Sequence, residues 1–264
     1  MTVNTRKHQK VECRIEESVT EFSNICSDVL IARTWSEFNN LRDRFVELGF
    51  IRFPPLSTFV DIERYAKDVI GEIKDKTFVE SSPAHVKLLD ALEVKAVLAP
   101  ILFDIAKDKF GYTGDLDSQC HMARLVKPGN AVEQYRAHFD SHIFTLIIPL
   151  VIPANSLGKE VGELLFMPNA RRNPESEFEN IAGKVFFKIY ARKSSVLRLE
   201  KDNKFEVEFF SDYRPLLFLG RTTFHVNKPV ALGASSARLT LLSHFFDPGP
   251  KFGIGKIMRS LRNR

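Results

Sequence analysis

The sequence predicts an α+β, mainly β fold, in which a helical N-terminal part buttresses a sandwich or barrel-like stack of short strands. Three observations lead there. Up to about Phe110 the apolar residues step by three and four, the spacing of helices with one buried face. After Gly111-Tyr112-Thr113-Gly114 the period shortens to two, as on a strand whose alternate side chains turn inward. The two-residue period then recurs in many short runs separated by Gly, Pro and Asn turns, a sandwich or barrel pattern.

The first helix is read from Phe38, Leu41, Phe45 and Leu48, after a capping-box pattern at Thr34 and Glu37 and before Gly49 as a stop. Ile51 to Pro55 reads as a short extended piece. A second helix spans about Thr58 to Lys74, with Val60, Tyr65, Val69, Ile70 and Ile73 on or near its buried face. A third runs from near Pro83 to about Phe110, carrying Val86, Leu89, Leu92, Val97, Leu98, Ile101, Leu102 and Ile105. Pro100 should kink or divide it, because the ring blocks the preceding turn.

Strands are expected at Cys120–Val126, Ile143–Val151, Glu163–Met167, Lys184–Tyr190, Ser195–Leu199, Phe205–Phe210, Leu216–Leu219, Thr223–Asn227 and Arg238–Phe246. Ile143–Val151 is apolar on both faces and reads as a central strand packed on each side. Pro168 to Gly183, with Arg171, Arg172 and several acids, reads as a polar surface excursion. A double-stranded β-helix (jelly roll) fits this order of elements. We expect one domain over 1–264: about 1–112 mainly helical, about 118–247 the jelly-roll core, and 248–264 a basic tail.

Composition narrows the function classes. No apolar run approaches the ~20 residues that span a bilayer, and Met1 to His8 leads into polar sequence, unlike a secretory signal. Cys13, Cys26 and Cys120 are an odd number without CxxC spacing and read as reduced thiols. A cytoplasmic protein is expected. The net charge of +5 resides in Lys251, Lys256, Arg259, Arg262 and Arg264. A neutral body with a basic tail argues against a nucleic-acid binder, which needs a broad basic face. Ile254, Ile257, Met258 and Leu261 follow helical spacing in that tail. Weak contact with anionic membrane or a partner is one expectation for it and a frayed, solubilising terminus the other.

The chemistry lies in His138-Phe139-Asp140, a later His225, and Arg238 within Ala237-Arg238-Leu239-Thr240-Leu241-Leu242. Residues i and i+2 of a strand share a face, so His138 and Asp140 can reach one metal ion together. His225 would join them from a strand folded back alongside. Two histidines and one carboxylate form the ligand set that leaves half of an Fe(II) coordination sphere open. Arg238 is a lone charge in an apolar run, where an unpaired cation is costly.

With Gly162-Glu163-Leu164-Leu165-Phe166 between the halves and Thr223 to Val230 around the second histidine, residues 118 to 247 resemble the iron(II)/2-oxoglutarate-dependent dioxygenases, which include the prolyl and phytanoyl-type hydroxylases. The resemblance implies Fe(II) on His138, Asp140 and His225, with 2-oxoglutarate as cosubstrate. Arg238 matches the position that pairs with its distal C5 carboxylate, and Thr240 a hydroxyl that in some members assists. Arg124 and His142 are candidates to line the cosubstrate or substrate space, Arg124 with a cross-strand ion pair as its other reading. His121 and His244 read as structural, and Asn227 and Lys228 as a strand-end cap.

The implied reaction hydroxylates an unactivated C–H bond of a small or medium-sized metabolite, releasing succinate and CO2. Related halogenases lack the carboxylate held here by Asp140, which favours oxidation over halogenation. Alternatives are hydroxylation of a protein side chain, a cupin-type metal enzyme that does not use 2-oxoglutarate, and a binding module on the same scaffold.

Overall fold

The computed structural model describes residues 35–249, apart from 59, 75, 81, 131–134, 155–159 and 189–190. The expected cap at Thr34, the thiols Cys13 and Cys26, and the basic tail at 251–264 lie outside these residues.

Helices come first, as the 3.6-residue period requires. Trp35–Phe38 (α1) passes through a 3₁₀ turn into Arg42–Leu48 (α2), which ends where Gly49 takes φ 83°, a conformation that costs glycine little. Phe50–Arg52 (β1) follows, then Ile62–Ile73 (α3), capped by the Asp61 side chain, which accepts from the Arg64 N–H. Ile62, Ala66, Val69 and Ile73 form its buried face, while Ile70, expected there, is exposed. Phe78–Glu80 (β2) was too short to show a period.

The long third helix is three pieces: Pro83–Ala91 (α4), a π-helical turn at Val94–Leu98, and Ala99–Phe110 (α5). The break falls at Glu93, whose φ is 55°. Pro100 sits in the first turn of α5, where no intrahelical donor is lost. It therefore divides the expected helix at the start of α5, without a kink inside α5. Val86 points outward, against expectation.

The remaining elements are Gln119–Val126 (β3), Phe144–Val151 (β4), Leu164–Met167 (β5), Glu177–Phe187 (α6), Lys193–Lys201 (α7), Glu206–Glu208 (β6), Leu216–Leu219 (β7), Phe224–Asn227 (β8) and Arg238–Phe245 (β9). Two expected strands are thus helical. Residues 184–187 of the expected strand Lys184–Tyr190 form the end of α6, whereas Ile189 and Tyr190 lie outside the described residues, and Ser195–Leu199 lies inside α7. Ser176 caps α6 by accepting from the Glu179 N–H, and Glu179 accepts from the Glu175 N–H. This cap starts a helix within the stretch read as a polar excursion.

All strand pairs are antiparallel. The larger sheet has the order β1-β7-β4-β9-β3-β2 and the smaller one β6-β5-β8. His138 bridges to His225 and so extends the smaller sheet past β8. From β3 onward the chain crosses between the sheets, with β3, β4, β7 and β9 in the larger and the His138 segment, β5, β6 and β8 in the smaller. This alternation is a double-stranded β-helix, as expected. β4 is central and buried along nearly its whole length.

The apolar cores define the layers. Helices α1–α5 pack on the outer face of the larger sheet through residues such as Phe45, Val69, Leu98, Phe144 and Leu241. Phe50, Ile147, Leu164, Phe166, Leu216 and Phe218 fill the space between sheets. Phe139, Leu165, Val196, Phe224 and Val226 form a third cluster outside the smaller sheet, with Phe187 and Leu199 of α6 and α7 against it. Full burial of one such side chain stabilises by about 1.5–3 kcal/mol, so both flanks of the β-helix are held firmly.

Candidate metal centre

The smaller sheet places the three candidate ligands. His138 and His225 exchange backbone hydrogen bonds of 3.0 and 3.1 Å, which bring the rings to 4.4 Å between centroids. Phe139, between His138 and Asp140, turns the other way and packs on Phe187 and Phe224 at 4.8 and 5.3 Å. That outward anchor fixes which way its two neighbours face. The Asp140 N–H donates to Gly220 O at 3.0 Å and the Gly220 N–H to Ile143 O at 2.8 Å.

One atom of each ligand lies within 4.8 Å of the others. Asp140 Oδ1 stands 3.5 Å from His138 Nε2 and 3.8 Å from His225 Nε2. Two cis ligands at about 2.1 Å from a metal are ~3 Å apart, so small side-chain shifts would close the triangle. Each Nδ1 faces a backbone carbonyl, Arg136 O at 2.7 Å for His138 and Thr223 O at 3.2 Å for His225. A carbonyl only accepts, so Nδ1 carries the proton and the Nε2 lone pair faces the centre. Burial pushes His225 down to about 4, against the pull of Asp140. It is therefore neutral at pH 7, the form that ligates. Burial opposes ionisation of Asp140, but His225, His244 and His138 outweigh it and hold the carboxyl well below its ordinary range. Donor set, tautomers and charge all fit a divalent cation.

Two residues that the sequence reading passed over complete the carboxylate's setting. Thr145 Oγ1 donates to Asp140 Oδ2 at 2.5 Å and lies 3.0 Å from His244 Nδ1. With its one proton committed to the carboxylate, the hydroxyl accepts from His244. Thr145 is the only hydroxyl residue in the strand Phe144–Val151, and that was the available signal. Gly220 is required by close approach: a Cβ there would lie 2.8 Å from His142 O, 2.9 Å from Thr145 Oγ1 and 3.0 Å from Asp140 Cβ.

Arg238 is 3% exposed on β9. Its guanidinium donates to Gly162 O and, at 2.6 Å, to Asn227 Oδ1, and lies over the Phe210 ring at 5.3 Å. Both acceptors are neutral, and no carboxylate among the described residues is within ion-pair distance. Burial and then Arg124 push Arg238 down to about 9, with Glu163 and Glu208 opposing. It stays charged at neutral pH. Asn227 is two residues beyond His225 on β8 and shares its face, so the reading of Asn227 as a strand-end cap gives way to a link between strand and arginine.

Thr240 shares the Arg238 face of β9, is buried, and pairs in register with Arg124. Opposite Arg124 on its other side is Phe78, with the guanidinium 5.6 Å from the ring centroid. Both register partners are uncharged side chains. The chain bends after Asp140, and His142 stacks on His244 at 5.2 Å. His244, read as structural, stands 3.7 Å from Asp140 Oδ2 and belongs to the centre. His121 faces the helices, 5.8 Å from the His85 ring, consistent with a structural role. Lys228 pairs with Glu200 of α7 at 2.9 Å and stays outside the centre.

No protein-family model matches the sequence, and no curated protein matches it. Among solved structures, a Pseudomonas putida prolyl-4-hydroxylase is similar at 13% identity and TM-score 0.46, over 79% of this chain and 97% of that one. A non-haem α-ketoglutarate-dependent epimerase from nogalamycin biosynthesis is similar at 15% identity and TM-score 0.46, over 80% and 84%. A prolyl 4-hydroxylase from Phytophthora capsici gives 10% and 0.44, over 88% and 74%.

Proposed function

We propose that the protein is an Fe(II)/2-oxoglutarate-dependent oxygenase that hydroxylates an unactivated C–H bond of a small or medium-sized metabolite. His138, Asp140 and His225 would hold the iron through Nε2, Oδ1 and Nε2. Bound there, Fe(II) with 2-oxoglutarate and dioxygen supplies the oxidation, with succinate and CO2 as coproducts. The chain's own residues bind, orient and shield.

The observation that carries the reading is Arg238, a buried cation held by neutral acceptors beside the metal triad. Asn227 ties it to the strand of His225, two residues or about 6.7 Å along β8. A dicarboxylate held at the metal by one end would meet this guanidinium with its far carboxylate. A planar fork suits a carboxylate, and the low-dielectric setting strengthens the pair. Thr240 adds a hydroxyl on the same face, and Arg124 a second positive charge close by. A cupin-type enzyme that does not use 2-oxoglutarate has no need of this anchor. Thr145 and His244 fix the Asp140 carboxylate so that Oδ1 faces the histidines.

The test is turnover of 2-oxoglutarate by iron-loaded protein against a panel of small metabolites and peptides, read as succinate release and product mass. Succinate formed in step with a product 16 mass units heavier (one added oxygen atom, by definition) supports the reading. Absence of 2-oxoglutarate binding or consumption under all conditions overturns it. A response to peptides alone would transfer the reading to a protein hydroxylase.

A further inference from the structure

The helical insertion between β5 and β6 carries an apolar face that the fold leaves outside. On α6, Phe178 is 83% exposed, Ile181 51% and Val185 64%. Their i, i+3, i+7 spacing puts them on one helix face. The opposite face is occupied. Asn180 is buried and accepts from Arg171 at 2.8 Å, and Phe187 packs on Phe139. Lys184 Nζ reaches Ser141 Oγ at 3.1 Å, next to Asp140. The helix is therefore fixed beside the metal-bearing segment with its apolar stripe turned away from the body. Leu197 on α7 is a further exposed apolar side chain, 41% accessible. Exposed apolar clusters of this kind mark interaction sites.

Charge selects the occupant. From Glu177 to Lys201 there are six basic residues, including Lys188, Arg192, Lys193 and Arg198, against three acids. A two-fold contact with a second copy would set this +3 stretch against itself, since an isologous interface meets its own patch, and the like charges would repel. An anionic occupant is favoured instead. Phe178 protrudes from a convex helix rather than lining a groove, and Lys188, Arg192, Lys193 and Arg198, which follow the apolar stripe in the chain, are exposed. Those are the properties of a helix lying in the headgroup layer of an anionic membrane. No helix among the described residues is long and apolar enough to cross a bilayer, so the contact is peripheral.

We propose that α6 and α7 form a membrane-docking surface for anionic lipid, with Phe178, Ile181 and Val185 entering the headgroup layer. Docking brings the flank of the candidate metal centre to the lipid surface. This does not depend on the nature of the reaction.

Full-length protein is mixed with phosphatidylcholine vesicles, with and without about a third phosphatidylserine, and partitioning is measured by flotation at low and high salt. Each Lys or Arg near an anionic surface adds about fivefold to partitioning. The wild type binds the anionic vesicles selectively, and high salt weakens binding. Phe178→Gln/Val185→Gln and Lys188→Glu/Lys193→Glu, each confirmed folded by circular dichroism, lose at least tenfold. Retention of wild-type binding by both double variants overturns the proposal. Absence of wild-type binding to anionic vesicles also overturns it. If self-association, or capture of an acidic protein, is abolished by the same substitutions while vesicles are ignored, the face belongs to that partner and the proposal fails.

Discussion

Arg238→Ala is the most informative single substitution. The side chain is a buried cation whose charged hydrogen bonds go to Gly162 O and Asn227 Oδ1. A hydrogen bond to a charged group contributes roughly 1.5–3 kcal/mol. Loss of the C5 carboxylate partner should therefore raise the 2-oxoglutarate Kd by about tenfold to more than a hundredfold. The substitution also leaves the buried Gly162 carbonyl without this donor, at about 1–3 kcal/mol, and frees the half-buried Asn227 Oδ1. The Tm should fall, and binding must be read well below it. The assay is anaerobic calorimetric titration of iron-loaded protein with 2-oxoglutarate, beside a titration of iron itself. Iron affinity should change little, since Arg238 is not a ligand. Arg238→Lys should recover only part of the loss, because an ammonium lacks the planar fork. An unchanged 2-oxoglutarate affinity in folded Arg238→Ala protein refutes the assignment.

Thr145→Val should weaken iron binding by about 10- to 100-fold, the usual effect of removing a group that orients a metal ligand. Thr145→Ser should restore most of it, and equal affinities in all three proteins would show that the hydroxyl does not position Asp140. His85 is fully buried, neither ring nitrogen has a hydrogen-bond partner among the described residues, and burial pushes it down to about 3. Its folded pKa is below the unfolded 6.5, so the unfolded chain binds protons first. Stability is complete above about pH 6.5 and is lost as pH falls toward 3, by roughly 2 kcal/mol at pH 5 from this group. In denaturant titrations at pH 7 and 5, His85→Leu should shrink that difference; an unaltered difference contradicts it. Deletion of residues 251–264 should lower binding to anionic vesicles severalfold and leave 2-oxoglutarate turnover intact, whereas equal binding would leave the tail a solubilising role.

What was legible in the sequence was what period and position encode. His138 and Asp140 share a strand face by the two-residue rule, and the bridge between His138 and His225 brings the third ligand in. Arg238 stood out as a charge in an apolar run. Positions set by contacts across strands were harder to read. Asn227 gains its role only because β8 lies where Arg238 can reach it, and Thr145 only because Asp140 folds over β4. The misread strands have a local cause. Lys184-Val185-Phe186-Phe187-Lys188 mixes apolar and charged residues over too few positions to separate a period of two from 3.6. The Ser176–Glu179 cap would have decided for helix. Pro100 marks a division of the long helix, with α5 starting at Ala99, whereas the turn at Glu93 rests on one backbone angle, which no residue type there announces.

In the proposed function His138, Asp140 and His225 hold one Fe(II) at which 2-oxoglutarate binds. Anaerobic titration with Fe(II) and then 2-oxoglutarate, followed through the weak visible charge-transfer band of the bound pair, tests it most directly. A band that saturates at one iron per chain is expected, and it is absent in Asp140→Ala and His225→Ala proteins that remain folded. No band in the wild type, or a band of equal strength in those variants, would contradict it.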